Sequence, residues 1–349
     1  MKQFKVKNSK SGATFFVNEG ESILNAALRQ SVMLPYSCKN GTCGSCKGVI
    51  ESGEVHYPFH PPMALSREDM GEGRALLCQA EPIEDLVIQI REIEAVRDIQ
   101  VRKMPARVIE KTLLTPEVMR LKIKLPNAQR LQFLAGQYID ILLPENKRRA
   151  FSIASSPLSE DVIELHIRHI DGGGFTGWVF EEMKERDILR LEGPMGTFFI
   201  RNDQTNRPMI LMGGGTGFAP LKSMIEDLLA HNDTRPLHLF WGVRNQAELY
   251  MHEQAQQWAA QHDHIHYSTA LSEPMTEEQA DNFTGFVHEA VLQQYPDLSS
   301  HDIYMSGPPA MIDASRTAFL ENGAEKRRIF FDSFEFGLDV PVRVLAKPH

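Results

Sequence analysis

Pro35-Tyr36-Ser37-Cys38-Lys39-Asn40-Gly41-Thr42-Cys43-Gly44-Ser45-Cys46 is the stretch on which the reading of this chain turns. It holds three of the four cysteines, spaced C-x4-C-x2-C, and the fourth, Cys78, follows after 31 residues. Four thiolates at this spacing ligate the two irons of a [2Fe–2S] cluster. The small residues and glycines between them let backbone N–H groups approach cluster sulfurs closely. The alternatives are a zinc site, which favours paired C-x2-C units and finds only one here, and buried free thiols. Disulfides fit the spacing poorly, and a cluster leaves no thiol over for covalent catalysis.

Before this loop, Phe4–Lys7 and Thr14–Val17 read as short strands joined by an Asn-Ser-Lys-Ser-Gly turn. Ser22 is placed to cap a helix beginning Ile23-Leu24-Asn25-Ala26-Ala27. After Cys78, the charge-alternating run Arg91–Asp98 reads as a strand end and linker. Beyond it the rhythm changes to short β-like runs at Val118–Leu125, Tyr138–Leu143, Val162–Arg168 and Ile188–Glu192, the signature of an antiparallel barrel. From about residue 207 strands and helices alternate. Pro208–Met212 ends in glycines, Leu221, Met224, Ile225, Leu228 and Leu229 mark a helix face, and His238–Trp241 and Ile303–Met305 are further strands. That alternation predicts a doubly wound α/β domain. The divisions expected are 1–92, a linker at 93–104, 105–203, 204–338 and a tail at 339–349.

Composition excludes several classes. With 42% hydrophobic and 24% charged residues the chain is globular, and its length suits two or three domains. A net charge of −9 argues against nucleic acid as a partner. No apolar run reaches the ~18 residues of a membrane helix and no signal-peptide core opens the chain, so a cytoplasmic protein without membrane insertion is expected.

The first block resembles a plant-type ferredoxin domain, and the other two resemble the ferredoxin–NADP reductase superfamily, in the order found in reductases with an N-terminal ferredoxin. The resemblance implies a multidomain α+β and α/β fold: a β-grasp ferredoxin domain, an antiparallel β-barrel flavin domain and a doubly wound α/β nucleotide domain. Arg149-Ala150-Phe151-Ser152 is similar to the family's R-x-[YF]-[ST] motif. By that likeness Arg149 neutralises the FAD pyrophosphate, Phe151 packs on the flavin and Ser152 hydrogen-bonds near its N5. Gly172-Gly173-Gly174-Phe175-Thr176 looks like the family's pyrophosphate loop, with the backbone at Gly174 and the Thr176 hydroxyl facing phosphate. For NADH or NADPH, Gly213-Gly214-Gly215-Thr216-Gly217 follows a strand and opens a helix, so glycines admit a close backbone approach. Arg244, in Trp241-Gly242-Val243-Arg244, is either a 2′-phosphate ligand or a solvated loop arginine, and NADH is the expected donor. Ser306-Gly307-Pro308 resembles the family's C-G-P turn beside the nicotinamide, with serine in place of cysteine, which puts the rate of hydride transfer in doubt. Phe334 is the expected ring over the flavin, or else a core phenylalanine.

A hydride carries two electrons and a [2Fe–2S] cluster accepts one, so a flavin between them converts hydride input into single-electron output. Such clusters typically lie near ~−400 mV. The acceptor implied is a separate protein. The texture most resembles CDP-6-deoxy-3,4-glucoseen reductases, which serve a dehydratase; a reductase component of a mono- or dioxygenase is the second reading, and a non-catalytic ferredoxin-like carrier the third. A monomer is expected.

Overall fold

Gln3–Asn8 (β1) and Thr14–Asn18 (β2) alternate exposed and buried residues and pair as an antiparallel hairpin. Phe4, Val6, Phe15 and Val17 face inward, and full burial of such a side chain is worth about 1.5–3 kcal/mol. The Ser22 hydroxyl accepts from the Asn25 N–H and caps Ile23–Arg29 (α1). A helix of this length is not stable alone in water. It persists because Ile23, Leu24, Ala26 and Ala27 are buried and because its first two N–H groups donate to the carbonyls of Ala80 and Leu77. Lys47–Ser52 (β3), Val55–His56 (β4), Arg67–Gly71 (α2), Arg74–Leu76 (β5), Glu81–Pro82 (β6) and Leu86–Gln89 (β7) follow. The sheet runs β2-β1-β7-β3-β5 with β1 and β7 parallel, and β4 pairs with β6 alone. A mixed sheet curled on one helix is the β-grasp arrangement.

This computed structural model describes residues 2–334 apart from 97–98, 127–129, 160–161, 203–205 and 279–281. The expected tail at 339–349 lies outside the described residues, as do Arg97 and Asp98 of the expected linker. The chain divides into two compact units between Gln100 and Val101. Neither edge of the stretch read as linker is loose chain. Ile93 donates its N–H to the Met33 carbonyl and Val96 is fully buried, while the first strand of the second unit already begins at Arg102.

In that unit, Arg102–Thr115 (β8), Val118–Lys124 (β9), Tyr138–Leu142 (β10), Arg148–Ser152 (β11), Val162–Arg168 (β12), Gly174–Glu181 (α3) and Ile188–Met195 (β13) come first. The strands run antiparallel in the order β11-β10-β13-β8-β9-β12. A bridge between Ile153 and Leu165 joins the two edges, which closes the sheet into a barrel. Val108, Leu121, Ile139, Leu165 and Leu191 fill it.

Met209–Gly214 (β14), Phe218–Ala230 (α4), Leu237–Val243 (β15), His252–Gln261 (α5), Ile265–Leu271 (β16), Phe283–Thr284 (β17), Val287–Gln294 (α6), Asp302–Gly307 (β18), Pro309–Glu321 (α7) and Ile329–Ser333 (β19) complete the unit. Their sheet is parallel, ordered β17-β16-β15-β14-β18-β19. Both faces are covered, one by a core that includes Phe218, Leu221 and Trp241, the other by one that includes Phe240, Val291 and Phe319. The strand order reverses between β14 and β18. The crevice outside their carboxyl ends is where doubly wound sheets bind ligands, and the glycine loop and Ser306-Gly307-Pro308 both open into it.

Candidate functional site

Three backbone positions in the cysteine loop, Lys39, Gly41 and Gly44, have positive φ of 60°, 86° and 76°. These left-handed turns fold the loop inward, so that the N–H of Cys43 points to Cys38 Sγ at 3.4 Å and that of Ser45 to Cys43 Sγ at 3.5 Å. Cys78 reaches the loop from a distant segment held at several points. The first N–H groups of α1 bind Leu77 and Ala80, Leu77 donates to the Cys46 carbonyl, and Gln79 Nε2 donates to the Lys39 carbonyl at 2.8 Å. Among the described residues no three metal-ligating side chains gather round one ion position. The sulfurs instead form two hydrogen-bonded pairs, Cys38 with Cys43 and Cys46 with Cys78. In each pair the partner thiol pushes one sulfur toward thiolate, Cys38 to about 5 and Cys46 downward, and pushes Cys43 and Cys78 up. Two thiol pairs in a cradle of N–H donors fit two irons and their bridging sulfides.

In the barrel, Tyr138 pairs with Ser152 and Ile139 with Phe151 across β10 and β11. Arg149 is half-exposed beside them and donates from Nη1 to the Arg148 carbonyl. Phe151 turns toward the barrel core and meets Phe175 with ring centroids 5.5 Å apart. The glycine loop opens α3 with Gly173 at the N-cap and no side chain capping it, and a Cβ at Gly174 would meet only open space. An uncapped helix start with room above it fits a phosphate. Thr176 has partners within the loop. Its hydroxyl is buried and faces the loop itself, at 3.2–3.3 Å from the carbonyls of Ile170 and Gly173 and from the Ile170 N–H. These contacts make the hydroxyl part of the loop's own framework.

The nucleotide loop is tightly packed. Three of its glycines make room for protein. A Cβ at Gly217 would lie 2.0 Å from the Ser306 carbonyl oxygen, one at Gly214 2.5 Å from Met311 Sδ, and one at Gly213 3.1 Å from Leu221 Cδ1. The first two clearances let the end of β18 and the start of α7 press against the loop, and the third seats Leu221 of α4. Only Gly215 and Thr216 are partly open, and Gly215, at φ 53°, is met by the Arg168 guanidinium. Gly307 has φ 150° and a Cβ there would meet Met311 at 2.8 Å, with Pro308 capping α7 behind it. Arg244, about a third exposed, forms ion pairs with Glu248 and, at 2.9 Å, with Glu117 of the barrel.

Ser152, Ser306 and Asp332 meet where barrel and parallel sheet join. Ser152 Oγ donates to Asp332 Oδ2 at 3.3 Å, and Asp332 stands opposite Ser306 in the β18–β19 register. The Ser306 hydroxyl is fully buried and has no hydrogen-bond partner among the described residues. Leaving a buried hydroxyl without a partner costs about 1–3 kcal/mol. Phe334, half-buried, is held there by its N–H to the Gly307 carbonyl. Asp332 carried no role in the sequence reading. Its signal is the strand period of two, which puts it on one face with Phe334. Also missed was a buried network behind the junction. Lys222 Nζ lies 3.4 Å from Glu164 and 2.8 Å from Glu226, and His166 bridges Glu164 at 2.8 Å and Tyr250 at 3.0 Å.

Comparison with known proteins agrees with this geometry domain by domain. Residues 6–82 match the 2Fe-2S iron-sulfur cluster binding domain, 105–200 the oxidoreductase FAD-binding domain and 211–317 the oxidoreductase NAD-binding domain. The chain is 38% identical over 329 residues to the CDP-6-deoxy-L-threo-D-glycero-4-hexulose-3-dehydrase reductase of Yersinia pestis, covering 94% of this chain and 98% of that one. It is 37% identical over 337 residues to the reductase component of phenol 2-monooxygenase from Pseudomonas sp. strain CF600, covering 94% of each. The crystal structure of the Amycolatopsis cytochrome P450 reductase GcoB superposes with a TM-score of 0.79 at 32% identity, over 95% of this chain and 98% of that one. Fold and site thus define an oxidoreductase that uses a nicotinamide dinucleotide, FAD and a [2Fe–2S] cluster. The chain belongs to the iron–sulfur flavoprotein reductases of the ferredoxin–NADP reductase superfamily, which move electrons from NAD(P)H through FAD and the cluster.

Proposed function

We propose that this chain is the reductase of a two-component system and hands single electrons to a dehydrase acting on a CDP-linked deoxyhexulose. The observation that carries the reading is end-to-end similarity to the Yersinia pestis dehydrase reductase, with both chains covered almost completely. A reductase component of an oxygenase is the second reading, favoured by the nearly equal similarity to the phenol 2-monooxygenase component. In either case the residues do the same work. The four cysteines hold the cluster, Arg149 and the start of α3 hold the FAD pyrophosphate, and Ser152, Ser306, Asp332 and Phe334 surround the place of hydride transfer. FAD when bound accepts the hydride and releases electrons singly. We place the chain in the cytoplasm as a monomer; no described helix is long and apolar enough to cross a membrane.

The test is reconstitution with NADH and a purified acceptor. Turnover of the CDP-hexulose by the dehydrase that depends on this chain supports the first reading. Turnover of phenol by the hydroxylase component, with none by the dehydrase, replaces it with the second.

A further inference from the structure

Arg244 follows the end of β15, whose Gly242 is paired with Gly214 of β14. In doubly wound sheets the loop at this level, beside the phosphate-binding turn, meets the adenosine ribose of the dinucleotide, where a carboxylate takes a 2′-hydroxyl and an arginine takes a 2′-phosphate. Here the arginine is present but engaged. Its Nη2 donates to Glu117 Oε2 at 2.9 Å, and the guanidinium also pairs with Glu248 four residues on. Glu117 comes from the turn between β8 and β9, in the flavin barrel, and its other bond is to Arg168 Nη2 at 2.6 Å. Arg168 Nη1 in turn lies 3.1 Å from the position of a Cβ on Gly215. One barrel carboxylate therefore holds both arginines that flank the open part of the nucleotide loop.

We propose that Glu117 is a specificity-determining residue that selects NADH by sequestering Arg168 and Arg244 from a ribose 2′-phosphate. The four side chains sum to zero charge. A 2′-phosphate carries about −1.5 to −2 at pH 7, so it meets two carboxylates already satisfied by the only two guanidiniums of this cluster. A 2′-hydroxyl needs no free cation and has carboxylate oxygens to donate to. Burial pushes the Glu117 carboxyl up, but the bonds from Arg168 and Arg244 outweigh it and keep the group ionised. The choice of dinucleotide is thus made by a residue of the flavin barrel acting across the junction, and it is independent of which protein accepts the electrons.

The test is Glu117→Gln in the full chain, loaded with FAD and cluster, with the bound FAD ratio as the folding control. Calorimetric titration with 2′,5′-ADP, which carries the 2′-phosphate but no nicotinamide, should show at least tenfold tighter binding than the parent. KM for NADPH with ferricyanide should fall by a similar factor, while kcat stays within about twofold; a general loosening of the junction would lower kcat for both donors instead. Adding Arg244→Ala should cancel most of the gain. A separate arm avoids dependence on the folding of the Glu117 variant: Arg244→Gln combined with Glu248→Gln, which leaves the cluster neutral, should change parent affinity for 2′,5′-ADP less than twofold, because the arginine is already occupied. The proposal is overturned if Glu117→Gln binds 2′,5′-ADP no better than the parent, if the gain survives Arg244→Ala, or if the charge-neutral pair Arg244→Gln and Glu248→Gln weakens 2′,5′-ADP binding fivefold or more.

Discussion

Ser152 of the barrel and Asp332 of the last strand, 180 positions apart in the chain, share a hydrogen bond of 3.3 Å in a buried junction. The contact brings a hydroxyl from the flavin motif and a carboxylate from the nucleotide sheet to one point. Positive charge develops on a nicotinamide ring as its hydride leaves, and a carboxylate nearby favours that change. Asp332→Asn keeps the size and the hydrogen bond but removes the charge. Stopped-flow reduction of the bound flavin by NADH should slow by about tenfold or more, on the order of 1.4 kcal/mol in the barrier. FAD content should be unchanged. A rate equal to the parent's means that Asp332 only fastens the strand.

Ser306 presents a buried hydroxyl with no partner among the described residues. A thiol is more polarizable and less costly to leave unpaired, and it packs differently against a ring. Ser306→Cys should therefore reduce flavin roughly fivefold to tenfold faster, about 1 kcal/mol in the barrier. An unchanged or slower rate in stopped flow means that the serine is neutral here.

Lys222 is buried against Glu164 and Glu226, so Lys222→Met leaves carboxylates without their cation and should cost about 3–5 kcal/mol in urea unfolding. The pH dependence has a definite sign. Burial pushes Glu164 up, but His166 and Lys222 outweigh it and hold it at about 2, below its unfolded value near ~4.3. Its stabilisation is full above about pH 4.5 and is lost as pH falls toward 2. His166 is held below its ordinary value by burial, against the pull of Glu164 and with Lys222 and Arg120 acting in the same direction as burial. It therefore also favours unfolding, as acid reaches about 6.5 and below. Both effects weaken the fold in acid, and Tyr250, which burial keeps protonated, contributes no charge there. The urea midpoint should fall from pH 7 to 5 and again to 4. A midpoint flat across that range contradicts the assignment.

Much of this arrangement was legible in the sequence because it rests on local pattern. The four cysteines, the period of two in β1 and β2, the Ser22 cap and the strand–glycine–helix turn at Gly213–Phe218 each depend on neighbours within a few residues. The hidden parts depend on partners far apart. Nothing around Glu117 tells that it meets Arg244 at a separation of 127, or around Glu164 that it meets Lys222. Thr176 and Gly217 show the converse. Their residue types were read as facing a ligand, and they are explained by protein contacts that only the folded chain reveals.

The order of electron flow is tested most directly at Cys78. Its thiol comes from a segment apart from the other three, and the flavin and nucleotide motifs all lie in the other compact unit. Cys78→Ser should lose or destabilise the cluster while FAD stays bound. The measurement is the ratio of NADH-dependent cytochrome c reduction to ferricyanide reduction, since ferricyanide takes electrons directly from the flavin. In Cys78→Ser the ferricyanide rate should remain near the parent's and the cytochrome c rate should fall to a small residue, whereas Arg149→Ala should depress both by weakening FAD binding. Cytochrome c reduction by Cys78→Ser at the parent's rate would show that the cluster is not the exit for electrons.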